Sequence, residues 1–324
     1  MINSVRNTVL SVLNKNNYGY ISPSDFNLFA KQAQLEVYEE YFSNYNKTVN
    51  AENLRTSGSD YADINKALSE TMESFLVNDL LIPNYVNNIA VVNGFYVPSL
   101  ITTGNEAYMI NKVLCNRKIV QGDGDDIAGA GDLLFDNDVD FIALGVSPLD
   151  IVTNIDETTS SVVVSIIDDH TLLLKDPIFV NDQSVPYAIF SKSNASEVEK
   201  VSDGKISLLN SSSITAPSLI YPAYSMIGNR INVYPYTINT YGQVSAVYFR
   251  YPKEPKWTYM TIGGSAVFDQ SQSDYQDFEM PQEDEFKLVM KILQYAGVSI
   301  RELPVTQFAI AQEQHEQPTF SQQQ

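Results

Sequence analysis

The stretch SPSDFNLFAKQAQLEVYEEY (residues 22–41) combines a helix start signal with a long amphipathic pattern. Ser22 is a favourable N-cap, Pro23 suits the first helical position, and Asp25 completes a Ser-x-x-Asp capping box. The apolar side of the predicted helix needs a cover, which either this chain or a neighbouring copy supplies. Its apolar stripe, at spacings of three and four, comprises Phe26, Phe29, Ala30, Ala33, Val37 and Tyr41.

The residues just before this helix also follow the register of a calcium-binding loop. Counted from Asn14, Gly19 falls at the sixth position, where such a loop turns sharply, and Asp25 falls at the twelfth, where a bidentate carboxylate belongs. Calcium requires several anionic oxygens, however, and Asn16 and Tyr18 stand where further carboxylates are needed. We therefore interpret the segment as a metal-free connection between two helices.

Further helical patterns occur near both ends of the chain. One spans the first residues, another spans residues 60–79, and a third begins after Pro281 with Gly297 as its expected C-cap. We expect these terminal helices to pack together as a bundle. Their apolar stripes comprise Ile2, Val5, Val9, Val12 and Leu13 in the first, Ile64, Leu68, Met72 and Phe75 in the second, and Phe286, Val289, Met290, Leu293 and Ala296 in the third.

Between the terminal helices, short β-favouring runs alternate with Pro, Gly, Asn and Asp. Val162–Ile167 and Thr171–Leu174 flank a polar turn and predict a hairpin. The fold class is therefore α+β, with a β-rich antiparallel sandwich or barrel inserted into a helical bundle. We place the parts at residues 1–81 (N-terminal helices), 82–278 (β-rich insertion), 279–311 (C-terminal helices) and 312–324 (a Gln-rich extended tail).

Composition and cysteine content restrict the class of protein. Hydrophobic residues make up 44% of the 324 residues, enough for a sizeable core. The single cysteine, Cys115, excludes a disulfide framework within the chain and a cysteine-based zinc site. Neither a signal peptide pattern nor an apolar run of bilayer-spanning length is present. We expect a protein without a membrane partner, made in a reducing cytoplasm.

The strongly acidic charge balance argues against tight DNA binding. The formal net charge is −19, whereas proteins that bind DNA tightly bring Lys and Arg to the phosphates and release counterions. An acidic surface can nevertheless lie beside DNA where the DNA must slide past without sticking.

The sequence contains no convincing catalytic or metal-binding motif, so we expect a protein that is not an enzyme and holds no cofactor. His170 falls in the predicted hairpin turn, and Cys115 falls in an apparent strand. The acidic segment of residues 122–140 contains an Asp136-x-Asp138-x-Asp140 triplet, but the residues that a calcium loop needs next are absent. A solvated, flexible acidic loop is the favoured interpretation, with weak calcium binding as the alternative.

The run YFRYPKEPKW (residues 248–257) alternates aromatic residues, cations and prolines. Tyr, Trp and Arg are enriched at interface hot spots, but the same residues can pack a sheet edge that the prolines terminate. Both interpretations stay open. The candidate interface residues of the whole chain are Phe29, Val37, Tyr41, Tyr248, Arg250, Tyr251, Trp257 and, in the tail, Phe320.

Three segments resemble virion structural proteins of crAss-like bacteriophages. They are NYGYISPSDFN (residues 17–27), RYPKEPKW (residues 250–257) and FKLVMKILQYAGVSIR (residues 286–301). The resemblance covers both ends and part of the middle, whereas residues 119–201 carry no recognisable motif. These segments are typical of a fold and contain no catalytic signature.

The resemblance implies a ring in the head–tail connector, an adaptor beneath the portal through which genomic DNA leaves the capsid. Its expected partners are further copies of itself in a dodecameric ring, the portal protein and neighbouring connector or tail proteins, and its expected location is the portal vertex of the virion. An acidic lumen and interfaces between adjacent copies agree with such a role. The alternatives are a receptor- or glycan-binding module on the virion surface and, more remotely, a calcium-dependent hydrolase.

Overall fold

The computed structural model describes residues 1–14, 21–53, 62–86, 89–125, 131–179 and 185–299. The chain divides into two compact units. The terminal unit comprises Met1–Phe75 and the chain from Tyr251 onward, and the central unit comprises Leu76–Arg250. The boundaries predicted from the sequence lie at residues 81/82 and 278/279.

The described helices confirm the helical start at residue 23. Ser22 Oγ accepts a 3.1 Å hydrogen bond from the Asp25 N–H, so Ser22 is the N-cap and Pro23 the first helical residue. The preceding loop, with its calcium-like register, lies largely outside the described residues. The helices are α1 (Ile2–Asn14), α2 (Pro23–Asn53), α3 (Ala62–Glu73), α4 (Asp203–Asn210) and α5 (Glu285–Ser299), the last preceded by a 3₁₀ turn (Gln282–Asp284).

The described strands confirm a fold of the α+β class with a large antiparallel sheet. They are β1 (Leu76–Leu80), β2 (Pro83–Val86), β3 (Ile89–Tyr96), β4 (Ala107–Gly124), β5 (Leu133–Phe135), β6 (Ile151–Asn154), β7 (Thr159–Asp168), β8 (Thr171–Leu174), β9 (Val185–Glu197), β10 (Glu199–Lys200), β11 (Ala223–Ile227), β12 (Arg230–Tyr234), β13 (Val244–Arg250), β14 (Tyr259–Ile262) and β15 (Ser265–Phe268).

In the terminal unit, α2 packs against both α3 and α5, and α1 packs against α5. Much of the predicted stripes forms this core, but Val12 and Phe286 are exposed, to 37% and 47%, and do not belong to it. Phe29 and Leu68 are only partly buried, and the Ile64 side chain lies outside the described residues. Burial of each core side chain contributes about 1.5–3 kcal/mol. The buried apolar residues of the helices include Ile2, Val5, Val9, Leu13, Phe26, Ala30, Ala33, Val37, Tyr38, Tyr41, Met72, Leu288, Val289, Ile292, Leu293 and Ala296.

Two predicted helix ends are wrong. The helix predicted over residues 60–79 ends at Glu73, because Leu76–Leu80 pairs with β13 as a strand, with Leu76 opposite Phe249. The last helix does not stop at Gly297 but continues to Ser299. In the first case a partner distant in sequence overrides the local helical pattern.

The described strands of the central unit form two sheets. The larger has the strand order β1-β13-β4-β9-β6-β7-β8-β5, and the smaller has the order β10-β11-β12-β3-β2. The predicted β7–β8 hairpin is confirmed, with Asp168 opposite Thr171. Side chains from both sheets share one core, which includes Phe95, Val113, Cys115, Tyr224, Ile231, Val233, Val244, Ala246 and Tyr248.

A second core lies at the other end of the larger sheet. It collects residues from β5 to β9 and from the segment between β5 and β6, among them Phe141 and Tyr187. The Gly242 backbone packs tightly against the Thr153 side chain. Its φ is +89°, and a Cβ atom at this position would lie 2.5 Å from Thr153 Cγ2. Glycine is therefore required at that position. Helix α4 covers part of the smaller sheet through Ile206.

Candidate functional site

The first candidate surface begins at a buried tryptophan in the terminal unit. Trp257 Nε1 donates a 3.1 Å hydrogen bond to Asn3 Oδ1, and the Trp257 backbone exchanges two hydrogen bonds with the side-chain amide of Asn27. The Arg6 guanidinium lies over the indole ring, with its Cζ 3.7 Å from the ring centroid, as in a cation–π contact. Trp257 is thus fixed by both α1 and α2.

This tryptophan anchors a β-hairpin that is not among the strands predicted from the sequence. Tyr259 and Phe268, which pair across the base of β14 and β15, both stack on the Trp257 ring, with centroid distances of 5.5 Å and 5.9 Å. Gly263 and Gly264 connect the strands, and both have positive φ, as the two-residue turns favoured in hairpins require. We refer to Tyr259–Phe268 as the hairpin arm.

Trp257 contacts one face of the hairpin arm, at its base. Side chains alternate between faces along a strand, so Tyr259 and Phe268 lie on that face, where Phe268 is partly buried and Tyr259 stays 41% exposed. Met260, Ile262 and Val267 lie on the opposite face, and all three are exposed, Ile262 to 57%. A two-stranded hairpin is marginal by itself in water, which makes an uncovered apolar face a candidate binding surface.

The second candidate surface is a loop of the central unit, Ser211–Pro222, which we call the apolar loop. It exposes Ile214 to 93% and Tyr221 to 80%, and Leu219 and Ile220 are also exposed. These side chains stand close together in sequence and project from a loop that is neither strand nor helix.

Hydrogen bonds within the chain hold the apolar loop in shape. Ala216 N–H donates to the Ser212 carbonyl at 2.9 Å, and Ser218 N–H donates to the Tyr221 carbonyl at 3.2 Å. The Thr215 hydroxyl donates to the Leu209 carbonyl at 3.1 Å, at the end of α4. These bonds lower the entropic cost of ordering the loop backbone on binding.

Both surfaces lie in charge-free stretches of a strongly charged chain. No Asp, Glu, Lys or Arg occurs between Lys205 and Arg230, or between Lys256 and Asp269. The second stretch contains the two-residue Gly-Gly turn between β-favouring runs, a signal that identifies a hairpin from sequence. Both charge-free stretches can also be identified from the sequence alone.

The predicted interface residues are largely inside the chain. Val37, Tyr41, Tyr248 and Trp257 are buried. Phe29, Arg250 and Tyr251 are partly buried, and Phe320 lies outside the described residues. Phe29 stacks on Tyr295 with ring centroids 6.1 Å apart, and Tyr251 contacts the ring of Tyr38 at 6.3 Å. The structure brings Val37, Tyr41, Tyr251 and Trp257 into the terminal unit and leaves Tyr248 in the central unit.

Two of these tyrosines donate hydrogen bonds to carboxylates. The Tyr41 hydroxyl donates to Asp284, and burial together with that carboxylate raises the Tyr41 pKa. The Tyr248 hydroxyl donates a 2.6 Å bond to Asp79 Oδ2, and burial followed by this bond raises the Tyr248 pKa to about 12. Both phenols are neutral donors that hold structure together at ordinary pH.

The acidic segment of residues 122–140 is not a uniformly solvated loop, contrary to the prediction. Gly122–Gly124 ends β4, Leu133–Phe135 forms β5, and Asp136 is buried. Its carboxylate accepts hydrogen bonds from Tyr187 and from the Asp138 N–H. Among the described residues, no group of three or more His, Cys, Asp or Glu is arranged to hold a metal ion.

The two residues considered for catalysis occupy structural positions. His170 lies in the β7–β8 turn, as predicted, with Nδ1 2.7 Å from the Val139 carbonyl oxygen. Cys115 is buried in β4, and desolvation raises its pKa to about 11, which keeps the sulfur in the protonated, weakly nucleophilic form.

No protein-family model matches the chain, and no curated protein matches it in sequence. In the described part of the chain, no helix has the length and apolar character needed to cross a membrane.

Proposed function

We propose that this protein is a structural component of a bacteriophage virion that forms a homo-oligomeric ring in the head–tail connector, beneath the portal. The single observation that carries the proposal is the hairpin arm, whose apolar face of Met260, Ile262 and Val267 is uncovered while its base is fixed by Trp257. Such a rigidly anchored, uncharged projection is suited to assembly with other protein chains.

Charge supports the same role. With a net charge of −19, the chain repels nucleic acid phosphates, so a ring of such chains makes a conduit in which DNA meets few attractive contacts. We further propose that the terminal helices form a bundle and that the central unit is a β-rich insertion into it. The portal and a dodecameric symmetry enter the proposal through the sequence resemblance alone.

A receptor- or glycan-binding module on the virion surface is the second candidate. It is favoured by the exposed aromatic side chains of Tyr221 and Tyr236, since exposed tyrosines suit carbohydrate rings as well as proteins. A module of this kind needs its aromatic residues free in the assembled particle, whereas a connector ring buries apolar surface between copies.

Antibody-labelled electron microscopy of phage particles whose genome encodes this chain tests the proposal. We expect label at the portal vertex, accessible on intact particles or after mild disruption. Label at fibre or tail tips would favour the receptor-binding module instead. Absence of the chain from purified particles, measured by mass spectrometry of their proteins, would contradict both virion roles.

A further inference from the structure

We propose that ordered water is bound inside the central unit, between β2 and β3, by the side-chain amides of Asn84 and Asn93. The water completes the hydrogen bonding of the smaller sheet and is a structural ligand of the fold. The inference concerns the interior of the central unit, so it is independent of the connector role.

Both amides are buried and lack partners within the chain. Asn84 is 1% exposed, and no described residue donates to its Oδ1 or accepts from its Nδ2. Asn93 is 5% exposed, and its Nδ2 finds no acceptor in the part of the chain that the structure describes. Native proteins pair nearly all of their buried polar groups, with protein or with ordered water, because an unpaired group loses its hydration without compensation. Since both amide atoms of Asn84 lack a partner, exchanging the positions of its O and N atoms does not change this conclusion.

An irregularity in the smaller sheet brings the two residues to the same place. Between two consecutive paired positions, β2 runs through residues 83–85, whereas β3 runs through the longer segment of residues 90–95. Asn84 is the β2 residue inside this irregularity, and Asn93 belongs to the longer β3 segment, with a φ of +59°. Extra residues of this kind interrupt the ladder of backbone hydrogen bonds and open it locally. Asn84 and Asn93 therefore lie on the two sides of one opening in the sheet.

Gly94 leaves space beside this opening. Phe95 belongs to the core shared by the two sheets, and alternation along the paired strands places Gly94 and Asn84 on the opposite face. Asn232 pairs with Gly94, and Ser225 pairs with Asn232, so polar residues continue this face. Ser225 Oγ is also buried and without a partner among the described residues. Space lined by polar groups holds water, whereas an apolar cavity stays dry.

The chemistry of the two amides identifies the ligand as water. Asn84 presents both an acceptor and donors, and water accepts and donates at the same time. A cation would contact only the oxygen and an anion only the N–H groups, so either ion would leave part of the Asn84 amide unpaired. A larger polar molecule would need access from solvent, which the burial of Asn84 and Asn93 prevents. Buried water typically makes about three hydrogen bonds, which agrees with the unpaired Oδ1 and Nδ2 of Asn84 and Nδ2 of Asn93.

A crystal structure of the full-length chain, at a resolution that shows ordered water, tests the site directly. We expect a density peak about 2.7–3.2 Å from an amide atom of Asn84 and at a similar distance from Asn93 Nδ2. Direct bonds of both amides to other groups of the chain, or amides with no peak between them, would overturn the inference. A peak with the oxygen-only coordination of a metal ion would overturn it as well.

Nuclear magnetic resonance detects the same water in solution. Magnetisation transfer from water to a side-chain amide has opposite signs in NOE and ROE spectra when the water stays bound longer than the tumbling time of the protein. We expect such signals at Asn84 and Asn93, and their absence at both would contradict the site. Asn154 is the matched control: it is 2% exposed, but its Nδ2 donates to the Ile178 carbonyl at 3.0 Å and its Oδ1 accepts from two backbone N–H groups, so it should give no such signal.

Asn84→Leu tests whether the two amides share the water. Leu is close to Asn in size and forms no hydrogen bonds, so we expect the water signal of Asn93 to disappear in this variant. If Asn84→Leu fails to fold by circular dichroism, Asn84→Val, which is also apolar and suited to a strand, replaces it. A water signal of Asn93 that persists at full strength in the folded variant would show that Asn93 binds water without Asn84, and the shared site would be excluded.

Discussion

The Tyr187 hydroxyl donates a 2.6 Å hydrogen bond to Asp136 Oδ2 within the second core of the central unit. Both residues are buried, and burial together with the neighbouring carboxylate raises the Tyr187 pKa. Gly122 lies against this pair: a Cβ atom there would stand 3.0 Å from Asp136 Oδ2 and 3.1 Å from the Tyr187 hydroxyl oxygen. The bond therefore links β9 to the segment that follows β5. It lies next to Gly122 of β4, where the absence of a side chain leaves room for it.

Removing the Tyr187 hydroxyl should destabilise the protein, because the buried Asp136 carboxylate then loses a donor. We expect Tyr187→Phe to lower the free energy of unfolding by about 1–3 kcal/mol. Chemical denaturation followed by far-ultraviolet circular dichroism measures the change. Tyr221→Phe is the matched control, since Tyr221 is exposed, and it should stay within about 0.5 kcal/mol of wild type. Equal effects of the two substitutions would contradict a structural role for the Tyr187–Asp136 bond.

The destabilisation caused by an Asp substitution in α2 should increase with the burial of the substituted residue. Val37 is fully buried, so Val37→Asp leaves an unpaired charge in the core of the terminal unit and should cost several kcal/mol, about 3–5. Phe29 is only partly buried, and Phe29→Asp should cost less. Leu28, the neighbouring residue and 63% exposed, provides the control, for which we expect less than about 0.5 kcal/mol. Thermal unfolding that ranks the three substitutions in another order would show that α2 faces the core differently.

Local signals account for what could be predicted of the fold. The α2 start rests on contacts between residues three apart, Ser22 and Asp25, and its stripe rests on helical periodicity alone. The end of α3 could not be predicted in this way, because β1 forms by pairing with β13, far along the chain. The buried state of Asp136 depends in the same way on Tyr187, a distant partner.

The candidate site was less predictable, because exposure depends on tertiary packing. Tyr248 and Trp257 belong to one aromatic run in the sequence, yet the first packs in the core of the central unit and the second in the terminal unit. The hairpin arm, by contrast, carried a readable Gly263-Gly264 turn signal. Its apolar face could have been identified from alternation, but not the fact that Trp257 covers only the other face.

Truncation of Trp257 should loosen the base of the hairpin arm. Trp257→Ala removes the ring that stacks on Tyr259 and Phe268, and we expect it to lower the free energy of unfolding by about 3–5 kcal/mol. Trp257→Phe keeps an aromatic ring but loses the indole donor to Asn3, so it should cost less. Because Trp257 is the single tryptophan, unfolding must be followed by circular dichroism. A Trp257→Ala variant as stable as Trp257→Phe would contradict the anchoring role of the ring.

The β7–β8 turn should make stability depend on pH through His170. The Val139 carbonyl, which accepts from Nδ1, raises the His170 pKa; burial opposes the rise, while the Asp136 carbonyl and the charges of Asp169 and Asp140 add to it. A group whose pKa is raised on folding stabilises the folded state while it is protonated. Its contribution is therefore full below the ordinary pKa near 6.5 and is lost as the pH rises through the folded value.

Nuclear magnetic resonance titration of the imidazole signals, assigned with His170→Asn, should place the His170 pKa above 6.5. The difference in unfolding free energy between wild type and His170→Asn should accordingly be larger at pH 5 than at pH 8, because the contribution of the protonated ring falls as the pH rises. Asp168 accepts from the His170 backbone N–H, a bond that does not require the imidazole ring, and the charge of the protonated ring also lowers the Asp168 pKa. A difference that is constant across this range, or a pKa below 6.5, would mean that the carbonyl oxygens around Nδ1 do not favour the protonated ring.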